Sequence, residues 1–114
     1  QKPEDIRDLF VPNFFFGCES DDPTNSLAFN EKLLPFGAKL KAIFSSDIGH
    51  WDVPDMTGVL EEAYESVERE ILTPQQFKEL TFDNAVGLFA GMNPSFFDNT
   101  VIENEVKDLM SPGD

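Results

Sequence analysis

Lys41-Ala42-Ile43-Phe44-Ser45-Ser46-Asp47-Ile48-Gly49-His50-Trp51-Asp52 is the stretch on which the reading of this chain turns. An apolar run gives way to two small hydroxyl residues and then to a carboxylate. The only histidine and the only tryptophan of the protein follow directly. Short apolar runs closed by turn residues mark strands buried on both faces. The pattern predicts a buried strand from Leu40 to Phe44 whose carboxyl end carries Asp47 into a site.

Upstream, Phe14-Phe15-Phe16-Gly17-Cys18-Glu19 has the same form and predicts an earlier strand. Between the two, Asp22 fits an N-cap and Pro23 the first helical position. Leu27, Ala28 and Leu34 then predict a helix of about three turns, ended by Pro35 and Gly37. Strand, helix, strand is the order of a parallel crossover unit. Parallel strands lie between layers, which accounts for unbroken runs in place of alternation.

Downstream, Asp55 is expected to cap a long helix in which Met56, Val59, Leu60, Ala63, Val67 and Ile71 recur every three or four residues. Thr73-Pro74-Gln75-Gln76 predicts a capping box opening a short helix to Leu80. Asp83–Ala90 reads as another helix, with Gly91 at its end. At the amino-terminal side a turn of helix is expected at Asp5–Phe10. From Asn93 onward the chain reads as loop, with Phe96 and Phe97 as packing anchors and Ser111–Asp114 as a frayed tail. The whole is expected to be one small α/β domain, with strands near 14–19 and 40–47, helices over 55–90 and a tail over 93–114.

The 114 residues carry a formal net charge of −14, from 22 acidic and 8 basic side chains. That field repels phosphate backbones and anionic lipid, so neither nucleic acid nor a membrane is an expected partner. No apolar run approaches the roughly 18 residues of a membrane span, and no charged-then-apolar leader opens the chain. The single cysteine, Cys18, excludes an internal disulfide and suits a reducing, cytoplasmic compartment. One Cys and one His cannot build a structural zinc site within one chain. Two strands are also few for a sheet: a two-stranded parallel ribbon leaves both edges open and cannot cover its own apolar faces. The sheet is therefore expected to be completed by a second copy of the chain or by further strands.

Functional groups in parallel α/β folds gather at the carboxyl ends of strands. One end offers Cys18, Glu19, Ser20, Asp21 and Asp22; the other offers Ser45, Ser46, Asp47, His50 and Asp52. Together they predict a carboxylate-rich mouth suited to a divalent cation or to acid/base work. Each group also has a simpler role open to it. Asp47 fits a turn, Asp21 and Asp22 fit helix caps, Cys18 a small core residue, His50 a loop hydrogen-bonder and Trp51 a loop cover. Ser45 and Ser46 lie too near His50 in sequence for the geometry of a triad.

AIFSSDIGHWD, the helix DMTGVLEEAYESVE and ILTPQQFKELTFDNAVGLFAGMNPSFF resemble the C-terminal end of an amidohydrolase-related metal-dependent hydrolase. The group in question includes the aminocarboxymuconate-semialdehyde decarboxylase relatives, and the resemblance runs from about Phe14 to Glu103. It implies the last quarter of a (β/α)8 barrel, with strand seven at Phe14–Glu19 and strand eight at Lys41–Asp47. It implies that Asp47 is the strand-eight aspartate, a metal ligand and proton carrier, with His50, Trp51 and Glu19 toward a small-molecule substrate. The resemblance further implies a divalent metal, zinc foremost, in the intact enzyme. The other ligands of that family are histidines on earlier strands, which this chain lacks, so tight metal binding by the chain alone is not expected. Two other readings stand beside this one: a non-catalytic, self-associating module, and an acidic cation-binding domain using Glu19, Asp21, Asp22, Asp47 and Asp52.

Overall fold

The computed structural model describes residues 2–111. It is a mixed α/β structure with two strands and five α-helices among those residues. Helix α1 spans Glu4–Phe10. Strands β1 and β2 span Phe15–Glu19 and Lys41–Ser45, and α2 spans Val59–Glu68. Then come α3 (Pro74–Lys78), α4 (Asn84–Met92) and α5 (Glu103–Met110). The strands pair in parallel, from Phe15 opposite Lys41 to Glu19 opposite Ser45.

Side chains alternate across a strand, so this register sorts the sheet into two faces. Phe16, Cys18, Ala42 and Phe44 share one. There Ala42 is buried with Phe29, Leu72 and Leu80, and Cys18, Ala28, Phe44 and Val67 pack around them. Phe15, Gly17, Glu19, Lys41, Ile43 and Ser45 share the other, and none of them is buried. The Lys41 ammonium sits 4.5 Å above the Phe15 ring on that side and donates to the Pro12 carbonyl. The buried cluster thus packs against one face, while the other leaves Phe15, Lys41 and Ile43 half-buried and Gly17, Glu19 and Ser45 exposed, where the sequence predicts full cover on both. The chain is less compact than its length allows: the Cα radius of gyration is 15.5 Å, against about 13 Å for a compact chain of about 100 residues.

The crossover departs from the expected α-helix. Asp22 does cap, accepting from the Thr24 amide at 2.8 Å, and Pro23 does lead, but the segment Pro23–Phe29 is a 3₁₀ helix that ends at Asn30. Short polar side chains compete with the helical ladder here. Ser26 Oγ donates back to the Pro23 carbonyl at 2.9 Å, and Asn25 Nδ2 donates to the Glu19 carbonyl at 2.6 Å. Asn30 Oδ1 then accepts from the Lys32 and Leu33 amides and turns the chain before Pro35.

Asp55 closes a turn instead of a helix, because its carboxylate is taken by the Thr57 amide and hydroxyl. Helix α2 therefore begins at Val59. Thr73 forms the predicted capping box: its hydroxyl accepts from the Gln76 amide at 3.1 Å, and Gln76 Oε1 accepts from the Thr73 amide at 2.9 Å. Thr73→Ala should cost about 1 kcal/mol in urea unfolding. A value near zero would mean that the box does not hold this helix start.

Beyond α3 the helix does not stop at Leu80. A π-helical turn over Glu79–Asp83 carries it into α4. Lys78 and Asp83, five residues apart, pair across that turn at 2.7 Å. The turn sets Leu80 into the core and lets Asn84 Nδ2 donate to the Ala42 carbonyl at 2.8 Å. Gly91 lies within α4, which is capped at Asn93. Helix α5 replaces part of the expected loop; Val106 packs with Val86 and Ala90, and Phe97 and Ile102 close over them. Pro112–Asp114 of the expected tail lie outside the described residues. No helix among the described residues is long and apolar enough to cross a membrane.

Candidate functional site

β2 ends at Ser45, and the chain then reverses over Asp47–His50. Asp47 holds φ at 52° and Gly49 at 101°. The first is the left-handed region that Asp tolerates better than most residues, because its short polar chain can bond locally. The His50 amide donates to the Asp47 carbonyl at 3.0 Å and closes the turn. That reversal sets the His50 ring between two carboxylates: Nδ1 lies 2.5 Å from Asp52 Oδ1 and 3.4 Å from Asp47 Oδ2.

An ionised carboxylate only accepts, so Nδ1 carries the proton. The hydrogen bond to Asp52 is the main cause that raises the His50 pKa, and the charges of Asp52, Asp47 and Glu19 add to it. The same bond lowers the Asp52 pKa. Asp47, His50 and Asp52 are all exposed, so this pairing contributes little to stability.

The end of β1 meets the end of β2. Glu19, Ser20 and Asp21 line a cleft of about 160 Å³ together with Asp47, Asp52, Val53 and Glu62. Of the residues expected at the mouth, Glu19, Ser20, Asp21, Asp47 and Asp52 line the cleft, and His50 stands beside it on two of those carboxylates. Trp51 is not in the cleft lining; it is 85% exposed, its ring centroid 6.0 Å from that of His50. Asp22 is occupied as a cap. Cys18 lies half-buried on the helix-covered face, and burial is the chief cause pushing its thiol pKa up, which suits a packing role.

Glu62 is the residue that sequence reasoning misses. It sits in the first turn of α2 and reads as part of that helix's solvated face; nothing in its spacing distinguishes it from Glu61 or Glu65.

Asp47, His50 and Asp52 each offer one donor atom, all within 4.8 Å of one another. Imidazole nitrogen with carboxylate oxygen is a donor set that divalent zinc accepts. The set fits such an ion in the chemistry of its donors, and three exposed donors would leave part of the ion's shell to water.

His50 is the only histidine, so its ring C–H signals are unambiguous in NMR. Their titration midpoint should lie above the ordinary 6.5, and Asp52→Asn should lower it. The sign for stability follows: whatever the pair contributes is fully present below the unfolded pKa and is lost as pH rises through the raised folded value. A midpoint unmoved by Asp52→Asn would show that the pair is absent in solution.

Comparison with protein families, with characterised proteins and with solved structures finds no match to this chain.

Proposed function

We propose that this chain forms the C-terminal wall of a (β/α)8 metal-dependent hydrolase or decarboxylase of the amidohydrolase type, with Asp47 as metal ligand and proton carrier. One observation carries the reading. The carboxyl ends of two adjacent parallel strands bring Glu19, Asp47 and Asp52 to one cleft with His50 beside it, while the buried cluster packs on the opposite face of the sheet from Phe15, Ile43 and Ser45. A barrel strand has that arrangement: helices outside, side chains inside, chemistry at the carboxyl end.

In this reading Asp47 accepts a proton from a water or substrate in the cleft that it lines. His50 steadies Asp47 and Asp52 and can pass a proton between cleft and solvent. Glu19 and Asp21 form the facing wall. Trp51 is free to close over a small-molecule substrate from outside. A divalent metal bound by these donors would supply a Lewis acid to the cleft. The remaining ligands and the rest of the barrel are the partners this reading calls for, and the free thiol of Cys18 is in keeping with a reducing, cytoplasmic setting.

Calorimetric titration with zinc, at a pH above the His50 titration midpoint, tests this on the chain itself. The expected result is weak, saturable binding of one ion per chain that Asp47→Asn removes. Absence of heat, or heat indifferent to Asp47, would count against the reading.

A further inference from the structure

The two edges of the sheet are not equivalent. The outer edge of β2 is closed at Ala42, whose carbonyl accepts from Asn84. With the Ala42 carbonyl turned out to Asn84, the alternation of a parallel ladder turns Ile43 inward toward Phe16 and Cys18. Phe15, Gly17 and Glu19 then point their backbone groups out of the sheet. The bond from Asn25 Nδ2 to the Glu19 carbonyl agrees with that orientation. Among the described residues, no side chain or neighbouring segment takes the outward amides and carbonyls of Phe15 and Gly17, and no third strand lies beside β1.

We propose that two copies of this chain pair through this edge, β1 against β1 in antiparallel fashion with Gly17 on the two-fold axis. Such a contact is isologous: the same patch meets itself. With Gly17 opposite Gly17, Phe15 falls opposite Glu19 of the second copy. The outward groups of Phe15 and Gly17 then face the second copy in the spacing of an antiparallel ladder, and the Glu19 carbonyl, which already accepts from Asn25, meets the Phe15 amide of the second copy with its other lone pair. Gly17, without a side chain, leaves room at the axis for the two Phe15 rings.

Charge complementarity identifies a second copy as the occupant. Side chains of Phe15, Glu19 and Lys41 share the bare face, and the Lys41 ammonium already lies over the Phe15 ring. Its hydrogen bond there is to the neutral Pro12 carbonyl, and no carboxylate lies within salt-bridge distance of it among the described residues. Glu19 likewise makes no salt bridge among the described residues, although its charge is felt by His50. The pairing brings Glu19 of each copy against Phe15 and beneath Lys41 of the other, so two lone charges are matched twice. The result is a four-stranded sheet, β2–β1–β1–β2, whose outer edges are the ones Asn84 closes. In a barrel the same edge belongs to the preceding strand, so this pairing and barrel closure exclude one another. The inference does not rest on the metal chemistry of the cleft.

Reciprocal charge exchange tests it. Sedimentation velocity over a concentration series is run in about 0.15 M salt, where a Debye length of about 8 Å screens repulsion between whole chains more than between adjacent side chains. The expected result is a monomer–dimer equilibrium. Glu19→Lys or Lys41→Glu alone places like charges together twice per dimer and should weaken it about tenfold. The double exchange, Glu19→Lys with Lys41→Glu, should restore it. Restoration also shows that the single variants had not failed by misfolding. In the associated wild type, the Phe15 and Gly17 amides should exchange hydrogen more slowly than in dilute monomer. A chain that stays monomeric throughout, a dimer indifferent to the single exchanges, or one not restored by the double exchange overturns the proposal.

Discussion

Asp47→Asn should eliminate zinc binding by this chain. In a chain that also carries the preceding barrel strands, it should lower kcat/KM by at least about 100-fold. The substitution is nearly isosteric, and Asn tolerates the left-handed backbone that Asp47 holds at φ 52°. The turn and its bond from the His50 amide to the residue 47 carbonyl should therefore persist. What is lost is the negative charge and the second acceptor oxygen. A set of three exposed donors has none to spare, since even a closed zinc site uses four. The proton-accepting role disappears with the same atom. Calorimetry on the short chain and steady-state kinetics on the longer one read these effects separately. Kinetics within a few-fold of wild type would remove Asp47 from the chemistry even if the metal still bound.

Leu80→Ala should cost about 2–5 kcal/mol in urea unfolding. Leu80 is 2% exposed and packs with Phe29, Ala42 and Leu72, where the π turn meets β2 and the 3₁₀ crossover. Ala42 has no bulk with which to fill the void, and the turn that presents Leu80 is held in place by the pair of Lys78 with Asp83 and by the Asn84 bond to β2. For a small domain whose total stability is on the order of 5–15 kcal/mol, that loss approaches unfolding at body temperature. Leu33→Ala is the control: Leu33 is 67% exposed, and its truncation should fall within about 0.5 kcal/mol of wild type. Equal effects at the two positions would mean that the cluster around Leu80 is not the core.

The two strands, their parallel relation and the Thr73 box were legible because each is encoded within a few adjacent residues. Thr73 and Gln76 need only one another, and the apolar runs of β1 and β2 need only their own length. The crossover was not legible as a 3₁₀ helix, since Asn25 and Ser26 choose between the helical ladder and the carbonyls of Glu19 and Pro23, and that choice is made in three dimensions. Gly91 has the composition of a helix end, yet the helix runs on to Met92 because Val86 and Ala90 pack against Val106. Ile102 and Val106 carry a helical spacing that the polar surroundings of α5 obscured.

At the site, Asp47 and His50 could be read together because one short turn joins them. Asp52 was legible only as a residue of the mouth, and its grip on His50 depends on how that turn closes. Glu62 reaches the cleft from a helix that begins more than ten residues beyond Asp47, and no local pattern announces it.

We propose that Asp47 and His50 belong to one cation-binding constellation at the end of β2. The most direct measurement follows the ring C–H signals of His50 by NMR while zinc is added above the His50 titration midpoint. The account predicts a saturable shift or broadening of those signals in the wild type and none at the same concentrations in Asp47→Asn. His50 signals that ignore zinc, or that respond equally in both proteins, would contradict it.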